Sequence, residues 1–444
     1  MAERPDQGIR VEYLTRVEGH GHIVVEVEGG ALKECRFEVV EAPRLFEAIL
    51  KGRSVFEAQH LTSRICGICA CAHSLASLQA AEAALGVEAS EQTTLLRRLL
   101  LHMELLDSHV LHVYLLALPD LLGAPSFLPL VSSHEKVVRR ALRMKKTCNC
   151  ISDTLVGRHV HPISCVVGGF TKLPGDRELE EMEESLAGMR PDMEATVETV
   201  SSLSFPEFER ETEYVALVAG GEEGRAYPLL SGDIGSWGGV RRKKEDYRSC
   251  TNEKVVPHST AKHTSLSRDS YAVGAQARVN LNGARLHPSA VKAAQDLGLQ
   301  TPCTNPYLNT VAQTVEMVHC LEDSLAIVRE LRERGVDQGE RILVGLNECG
   351  TVPIRAGEGV GAVEAPRGTL FHHYRVDGKG MIEEADCIIP TNQNLANLEA
   401  DMRALVPGIL DRSEEEIRLS LEMLVRSYDP CISCSTHLVR LRIR

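Results

Sequence analysis

Two short cysteine pairs near opposite ends of the chain constrain its fold most strongly. Cys66 and Cys69 form the first pair, and Cys431 and Cys434 form the second. A two-residue spacer lets both sulfurs of a pair bind one ion, and thiolates select soft metals over magnesium or calcium. A zinc ribbon normally has roughly 15 to 20 residues between its pairs, whereas Cys69 and Cys431 are 362 positions apart (431 − 69). We therefore expect the whole fold to be built around one metal site.

The composition is ordinary for an enzyme with a large core. The 444 residues are 43% hydrophobic, and the first ten lack the apolar core of a signal peptide. No window approaches the roughly 20 uninterrupted apolar residues of a membrane span. The formal charge of −13 argues against nucleic acid or an anionic membrane as a partner. We expect a cytoplasmic protein without a membrane partner, whose fourteen cysteines are metal ligands and buried side chains rather than disulfides.

The pattern of apolar residues predicts an α+β fold that is predominantly helical. Residues 8–41 alternate apolar and polar positions around Gly29 and Gly30, which is typical of an N-terminal β-meander. Helical periodicity predicts a helix over 72–85 and a long apolar helix over 93–122, the strut of a central helix bundle. Further helices, with irregular chain between them, are predicted at about 134–147, 177–202, 308–334 and 413–427.

The separation of the cysteine pairs also bears on domain organisation. We expect a single domain over residues 1–444, because ligands from both chain ends leave no clean boundary between independent parts. Residues 206–270 are the best candidate for a peripheral insertion, and the basic run at 241–244 is interpreted as a solvated loop. The histidines of the long helix are interpreted as packed or surface residues rather than ligands; they are His102, His109 and His112.

The segments around both pairs resemble the paired signatures of the large subunit of nickel-iron hydrogenases. They read RICGIC at 64–69, followed by His73, and DPCISC at 429–434, followed by His437. Five further segments resemble other blocks of that family in the same order. They are RVEGH at 16–20, LPD at 118–120, GRHVHP at 157–162, VGAQARVN at 273–280 and EAPRG at 364–368. The sequence around Cys66 is similar to that of the soluble branch of the family, whose members couple hydrogen to cytoplasmic electron carriers.

This resemblance implies a nickel-iron centre held by the four cysteines. All four would bind nickel, and the second of each pair, Cys69 and Cys434, would also bridge to iron. The iron of the family carries cyanide and carbon monoxide. The family also has magnesium near this centre, and Glu47, His437 and the backbone carbonyl of Leu395 match its protein ligands. Magnesium normally keeps several waters, so a site with few protein ligands is physically reasonable.

The resemblance further implies that dihydrogen is split heterolytically. The proton would go to the thiolate of Cys431, a terminal ligand, and would leave through Glu18, which matches the proton-relay glutamate of the family. Without the resemblance, a glutamate at this position is simply a strand-edge residue in an ion pair with Arg16. These two interpretations predict different contacts for the Glu18 carboxylate.

An arginine beside the metals is implied as well. Pro366 and Arg367 match the cofactor contacts of the family, with the guanidinium over the open face of the metals. Asp429 would orient Arg367 as a supporting partner. Membrane-linked members usually have an aspartate where this chain has Ser108, and Asp107 would point elsewhere on the helix.

The chain has no second cysteine constellation for an iron-sulfur cluster. The resemblance therefore implies a small subunit that carries the clusters, joined to subunits that meet flavin, NAD(P), ferredoxin or a heterodisulfide. Residues 438–444 would be a precursor tail removed on maturation, or part of a form that needs no cleavage. Two alternatives stay open, namely a structural zinc protein and a non-catalytic relative similar to the quinone-site subunit of respiratory complex I, although such relatives lack these cysteines.

Overall fold

The N-terminal residues form an antiparallel meander, as predicted. Its strands are β1 (Gln7–Val11), β2 (Gly21–Glu28) and β3 (Ala31–Val39), paired in that order. The alternation of apolar residues places Ile23 and Phe37 in the core. The computed structural model describes residues 7–12, 14–220, 226–342 and 354–436.

Helices make up most of the remaining regular structure, so the predominantly helical α+β prediction is confirmed. The shorter helices are α1 (Phe46–Leu50), α2 (Ala58–Thr62), α5 (Leu118–Leu121), α6 (Leu130–Ser133), α9 (Tyr247–Thr251), α10 (Ala275–Asn282), α11 (Pro288–Asp296) and α15 (Ile432–Ser435). The longer helices are α3 (Ala70–Leu85), α4 (Glu91–Leu111), α7 (Glu135–Val156), α8 (Asp176–Ser201), α12 (Asn309–Arg334), α13 (Pro390–Leu405) and α14 (Glu414–Ser427).

The predicted strut is a continuous helical stretch in which α4 runs through a π-helical turn at His112–Ala117 into α5. Helices α7 and α12 pack against α4, and α8 packs against α12. Within the described chain, Glu91–Leu121 is the one stretch long and apolar enough to cross a membrane, and 78% of its most apolar window is buried in this fold. The leucines therefore serve the core of the bundle.

The prediction of irregular chain between α12 and α14 is wrong. This region contains a second meander, ordered β11-β10-β9, of strands β9 (Gly357–Ala365), β10 (Gly368–Val376) and β11 (Ile382–Ile388), followed by α13. Glycine is normally depleted in strands, and β9 has glycine at three alternate positions. Helices α10 and α11 were likewise placed in irregular chain by the prediction.

The glycines of β9 allow the strand to lie directly on the backbone of α3. A Cβ added to Gly357, Gly359 or Gly361 would lie within 2.3 Å of a carbonyl oxygen of α3. The closest approach is at Gly361, where the added carbon would be 1.9 Å from the oxygen of Ala76. Because the glycines alternate along the strand, the first half of one face of β9 is reserved for backbone contact with the helix.

We expect Gly361→Ala to destabilise the protein by about 1 to 3 kcal/mol or more, because the added methyl group overlaps helix backbone that has no rotamer to change. Thermal unfolding of the purified protein would measure this loss. Gly378→Ala is a suitable control, since an added Cβ there meets nothing within 4 Å. Equal unfolding temperatures for both variants would show that α3 does not depend on this close contact.

Residues 206–270 include a three-stranded sheet and α9. The sheet contains β6 (Val215–Val218), β7 (Asp233–Ser236) and β8 (Arg241–Arg242), whereas β4 (Cys165–Val166) and β5 (Gly169–Phe170) pair elsewhere. Side chains of β6 and α9 share an apolar cluster with Val360 and Phe371 of the second meander. The first three residues of the basic run are exposed and Lys244 is half-buried, and Lys243 pairs with Asp233 at 3.0 Å. The assignment of this segment as an insertion in a single domain stays a prediction.

Candidate metal centre

The two cysteine pairs meet in the interior of the fold. Cys69 immediately precedes α3, and Cys431 immediately precedes α15. The Sγ atoms of Cys66 and Cys431 lie 3.4 Å apart, those of Cys69 and Cys434 3.8 Å apart, and all four lie within 4.8 Å of one another. None of the four side chains is more than 6% exposed. The expected single site built from both chain ends is therefore present.

Hydrogen bonds from other segments hold the second pair in place. The backbone N–H of Cys431 donates to the hydroxyl of Thr391 at the start of α13, at 3.0 Å. The guanidinium of Arg44 donates to the carbonyl oxygens of Ile65 and Ser433, each next to a cysteine of a different pair. No role was predicted for Arg44, because nothing in its local sequence indicates a link between segments 389 positions apart.

The thiols of the cluster differ in the direction of their pKa shifts. Hydrogen bonding with the Cys431 thiol, and then with the Cys434 and Cys69 thiols, lowers the pKa of Cys66 well below its usual value. Burial raises the pKa of Cys431 and Cys434 well above theirs. Four buried thiolates cannot all be charged without a cation among them. The donor set therefore fits a soft metal centre, and the four cysteines are the residues that would hold it.

Glu18 lies beside the cluster and not in an ion pair with Arg16. The Cys431 thiol donates to Glu18 Oε2 at 3.2 Å, and the Ser433 N–H donates to the same oxygen at 3.0 Å. Arg16 instead pairs with Asp120. The ion-pair alternative is therefore wrong, and the carboxylate is within hydrogen-bond reach of one of the four sulfurs.

Arg367 lines a small cavity together with three of the cysteines. Its Nε donates to the backbone oxygen of Asp429 at 2.6 Å, and its Nη2 donates to Oδ1 at 2.8 Å. The third nitrogen is 3.5 Å from the hydroxyl of Ser108. Asp107 points away and pairs with Lys145 at 2.7 Å. A buried, fixed guanidinium thus faces the space beside the sulfurs.

Comparison with known proteins identifies the family. A family model described as nickel-dependent hydrogenase matches residues 44–128 and 242–437, and one described as HoxL-like matches residues 8–42. This chain belongs to the nickel-dependent hydrogenase family. It is the large subunit type, which carries the nickel-iron site, and it is an enzyme. The zinc-protein and complex I-like alternatives are thereby displaced.

Relatives match this hydrogenase over nearly its whole length. The alpha subunits of sulfhydrogenases 1 and 2 of Pyrococcus furiosus are 35% and 34% identical to it; each match covers 98% of this chain and 98% or 100% of the relative. A chain of the F420-non-reducing hydrogenase of Methanothermobacter marburgensis is 30% identical, and the match covers 98% of this chain and 96% of the relative. A structure of an NAD+-reducing [NiFe]-hydrogenase in the H2-reduced state has a TM-score of 0.84 at 28% identity, covering 97% and 99% of the two chains.

A buried ion-pair network supports the segment that carries Arg367 in this hydrogenase. Arg278 of α10 donates to the carbonyl oxygens of Ala365 and Pro366, at 3.0 and 3.2 Å. The same guanidinium makes two 2.6 Å hydrogen bonds to the carboxylate of Glu316. Glu364 pairs with it at 3.1 Å, and His109 and Tyr227 also contact Glu316. Arg278 lies in the segment quoted at 273–280, but sequence reasoning assigned it no role.

We expect Glu316→Gln to lower the free energy of unfolding by about 3 to 5 kcal/mol, because it removes the main counter-charge of a fully buried guanidinium. Chemical denaturation of the complex would measure this. The exposed pair of Glu135 and Arg139 supplies the control, and Glu135→Gln is expected to cost about 1 kcal/mol or less. Similar losses in both variants would mean that the buried Arg278 network contributes no more to the free energy of unfolding than an exposed ion pair does.

The predicted magnesium ligands are only partly described. Glu47 is 8% exposed, and it accepts a hydrogen bond from the N–H of Cys387 at 3.0 Å. Burial, and then the charge of Asp386, raises the pKa of Glu47 to about 7, although a bound cation would favour the charged carboxylate. Leu395 is buried in α13, and His437 lies outside the described residues, as does the segment 438–444. The magnesium site therefore stays a prediction.

Proposed function

We propose that this hydrogenase subunit splits H2 heterolytically into a proton and a hydride, and that oxidation of the hydride gives a second proton and two electrons. The electrons leave to a partner subunit with iron-sulfur clusters. The observation that carries the proposal is the cluster of four buried sulfurs, with the Glu18 carboxylate in contact with Cys431 and the Arg367 guanidinium lining the cavity beside three of the cysteines. With the four cysteines as ligands, a nickel-iron centre with cyanide and carbon monoxide on the iron would supply the soft, redox-active metals that the reaction needs. Magnesium at Glu47, Leu395 and His437 belongs to the same proposal.

Two residues of this chain, Cys431 and Glu18, would accept the proton and pass it toward solvent. The sulfur of Cys431 takes one proton of H2, because a thiolate is basic and Cys431 is enclosed where burial favours the neutral thiol. The thiol then donates to Glu18 Oε2, which is 3.2 Å away. The Ser433 N–H keeps that oxygen aimed at the sulfur, and the half-buried side chain of Glu18 leads toward solvent. This geometry is short enough for direct transfer.

Arg367 would act on the space beside the sulfurs. Two hydrogen bonds to Asp429 fix the plane of its guanidinium, so its positive charge is in position before reaction and needs no reorganisation. Pro366 keeps this short turn rigid, and Arg278 binds its carbonyl. The proposed role of Arg367 is to stabilise negative charge that develops beside the sulfurs.

The electrons need a route that this chain does not supply by itself. Among the described residues, the only group of cysteines arranged for a metal is the cluster of four. We therefore propose a small subunit with iron-sulfur clusters, and further subunits that reach a soluble acceptor such as NAD(P), a flavin, ferredoxin or a heterodisulfide. The likeness to an NAD+-reducing enzyme supports a soluble acceptor. Thirteen free cysteines in the described chain support the expected cytoplasmic, reducing location.

We expect Glu18→Gln to slow H2/D+ exchange by about 10²-fold or more while nickel and iron content stay normal, because the amide keeps the shape but cannot accept the proton. Mass spectrometry of exchange per nickel would measure this. Glu41, another acidic residue near the N-terminal segment, pairs with His20 at 2.9 Å, and Glu41→Gln is the control. An exchange rate equal to that of the native enzyme would remove Glu18 from the proton path.

The metal proposal is tested on the natively purified complex. X-ray absorption at the nickel and iron edges should place sulfur around nickel, and infrared spectra should contain the cyanide and carbonyl bands of the iron. Magnesium content per nickel tests the third metal. Zinc bound by the four sulfurs in place of nickel, in a complex that consumes H2 normally, would contradict the proposal.

A further inference from the structure

We propose that His258, His263 and Glu399 form a second metal site that binds one zinc ion, separate from the cysteine cluster and independent of the proposed hydrogenase chemistry. Each residue offers one ligand atom, and these atoms all lie within 4.8 Å of one another. Two imidazoles and one carboxylate are a set that zinc binds in proteins, with a fourth position left for water. The three residues come from one loop and from α13, so an ion there would join two segments.

The first observation in favour of a bound ion is a buried nitrogen of His263 that lacks a hydrogen-bond partner among the described residues. The His263 side chain is buried, 6% exposed, and its Nε2 has no hydrogen-bond partner within the described part of the chain. A buried polar atom without a partner costs about 1 to 3 kcal/mol. A metal ion bound through Nε2 would remove that cost.

The spacing of the ligand atoms fits a tetrahedral ion. Bonds of 2.0 to 2.1 Å hold two ligands about 3.3 Å apart. Glu399 Oε1 is 2.7 Å from Nε2 of His258 and 3.9 Å from Nε2 of His263. The required distance lies between these values, so a shift of about half an ångström in each histidine side chain would bring both nitrogens to that distance from Glu399. The ion replaces the hydrogen bond between His258 and Glu399, and the His258 imidazole binds it through Nε2 with its own proton on Nδ1.

Glu399 is already held in the orientation that such a site needs. It is 3% exposed, and its Oε1 accepts a hydrogen bond from the backbone N–H of Phe37 at 3.1 Å. Arg403, one turn along α13, donates to Oε2 at 2.8 Å. The arginine therefore occupies the oxygen that faces away from the histidines, and Oε1 is the one presented to them.

The loop that carries both histidines is fastened at its base and its middle. Lys254 and His263 exchange two backbone hydrogen bonds, at 2.8 and 2.9 Å, which close the loop. The N–H of Thr260 donates to the carbonyl oxygen of Val39, at 3.0 Å. His258 is 23% exposed, so one side of the site opens to solvent, where water would complete the coordination. The ligands are thus arranged before the ion arrives.

The test uses the native complex with its nickel-iron centre in place. The complex is washed with a chelator, incubated with zinc chloride and desalted, and zinc per nickel is then measured. We expect one zinc per chain more in the native enzyme and in the control His134→Gln than in His263→Gln or His258→Gln. His134 is an exposed histidine outside the site, and its ring contacts Ser133. Nickel content shows that each variant is folded, and the loop residue His258 provides the milder substitution.

Zinc-edge X-ray absorption on the unsubstituted enzyme gives a second readout that needs no variant. We expect nitrogen and oxygen neighbours at about 2.0 to 2.1 Å and no sulfur at about 2.3 Å. A sulfur shell would put the zinc in the cysteine cluster and would overturn the proposal. Equal zinc in the native enzyme and both histidine variants would overturn it as well. Neither outcome depends on whether the cysteine cluster performs hydrogenase chemistry.

Discussion

Replacing Cys434 with alanine is expected to abolish hydrogen uptake and to remove nickel and iron from the chain. Its sulfur is 2.8 Å from that of Cys431 and 3.8 Å from that of Cys69, so it contacts both pairs. The cavity beside it is also lined by His73, whose Nδ1 already has a hydrogen-bond partner in Nε2 of His372 at 3.1 Å, and by Ala365 and Leu370, which offer no ligand atom. Metal analysis and H2 uptake on the purified complex would measure both losses.

Cys148→Ala is the matched control for this experiment. Cys148 is also buried, at 1% exposure, but it lies in α7 outside the cluster. Its replacement is expected to cost some stability and to leave metal content and turnover per nickel unchanged. Normal turnover in Cys434→Ala would rule out the bridging role of that sulfur.

Replacing Arg367 with lysine is expected to lower turnover by a factor on the order of 10² to 10³, with the metal centre still assembled. An ammonium group is a point charge on a flexible stem and cannot make both hydrogen bonds to Asp429 while also facing the cavity. Turnover per nickel, together with infrared spectra of the iron ligands, would separate loss of catalysis from loss of the centre.

Arg97→Lys tests whether any buried arginine would give the same result. Arg97 is 3% exposed and makes two hydrogen bonds to Glu82, at 2.8 and 2.6 Å, in a different part of the core. This variant is expected to be less stable but to keep normal turnover per nickel. If Arg367→Lys behaves in the same way, Arg367 supports the fold and does not take part in the reaction.

Features with a strong periodic or spacing signal could be predicted from the sequence. The cysteine pairs were expected to meet because each two-residue spacer lets a pair bind one ion, and the long separation between the pairs does not fit a local zinc ribbon. The structure brings the four sulfurs together. The meander at 8–41 and the helix at 93–122 follow from unbroken apolar periodicity. The placement of Glu18 beside Cys431 was available only through the resemblance of the RVEGH segment.

Features that depend on contacts across the chain could not be predicted. The strand β9 was missed because three glycines lower strand propensity, and their value is visible only with α3 in place. Arg278 and Glu316 are 38 positions apart and carry no local sign of mutual burial. Arg44 links two carbonyl groups whose closeness is a result of the fold itself.

The glycine face of β9 determines how stiff the metal centre is. Side chains that pack together can relax by changing rotamer, but α3 rests on β9 through main-chain atoms, which have no such freedom. The helix begins just after Cys69, and the strand ends two residues before Arg367. The main-chain contact between α3 and β9 therefore fixes the distance between the first cysteine pair and the guanidinium. Thermal motion of surface loops should leave it unchanged, and a single added methyl group should widen it.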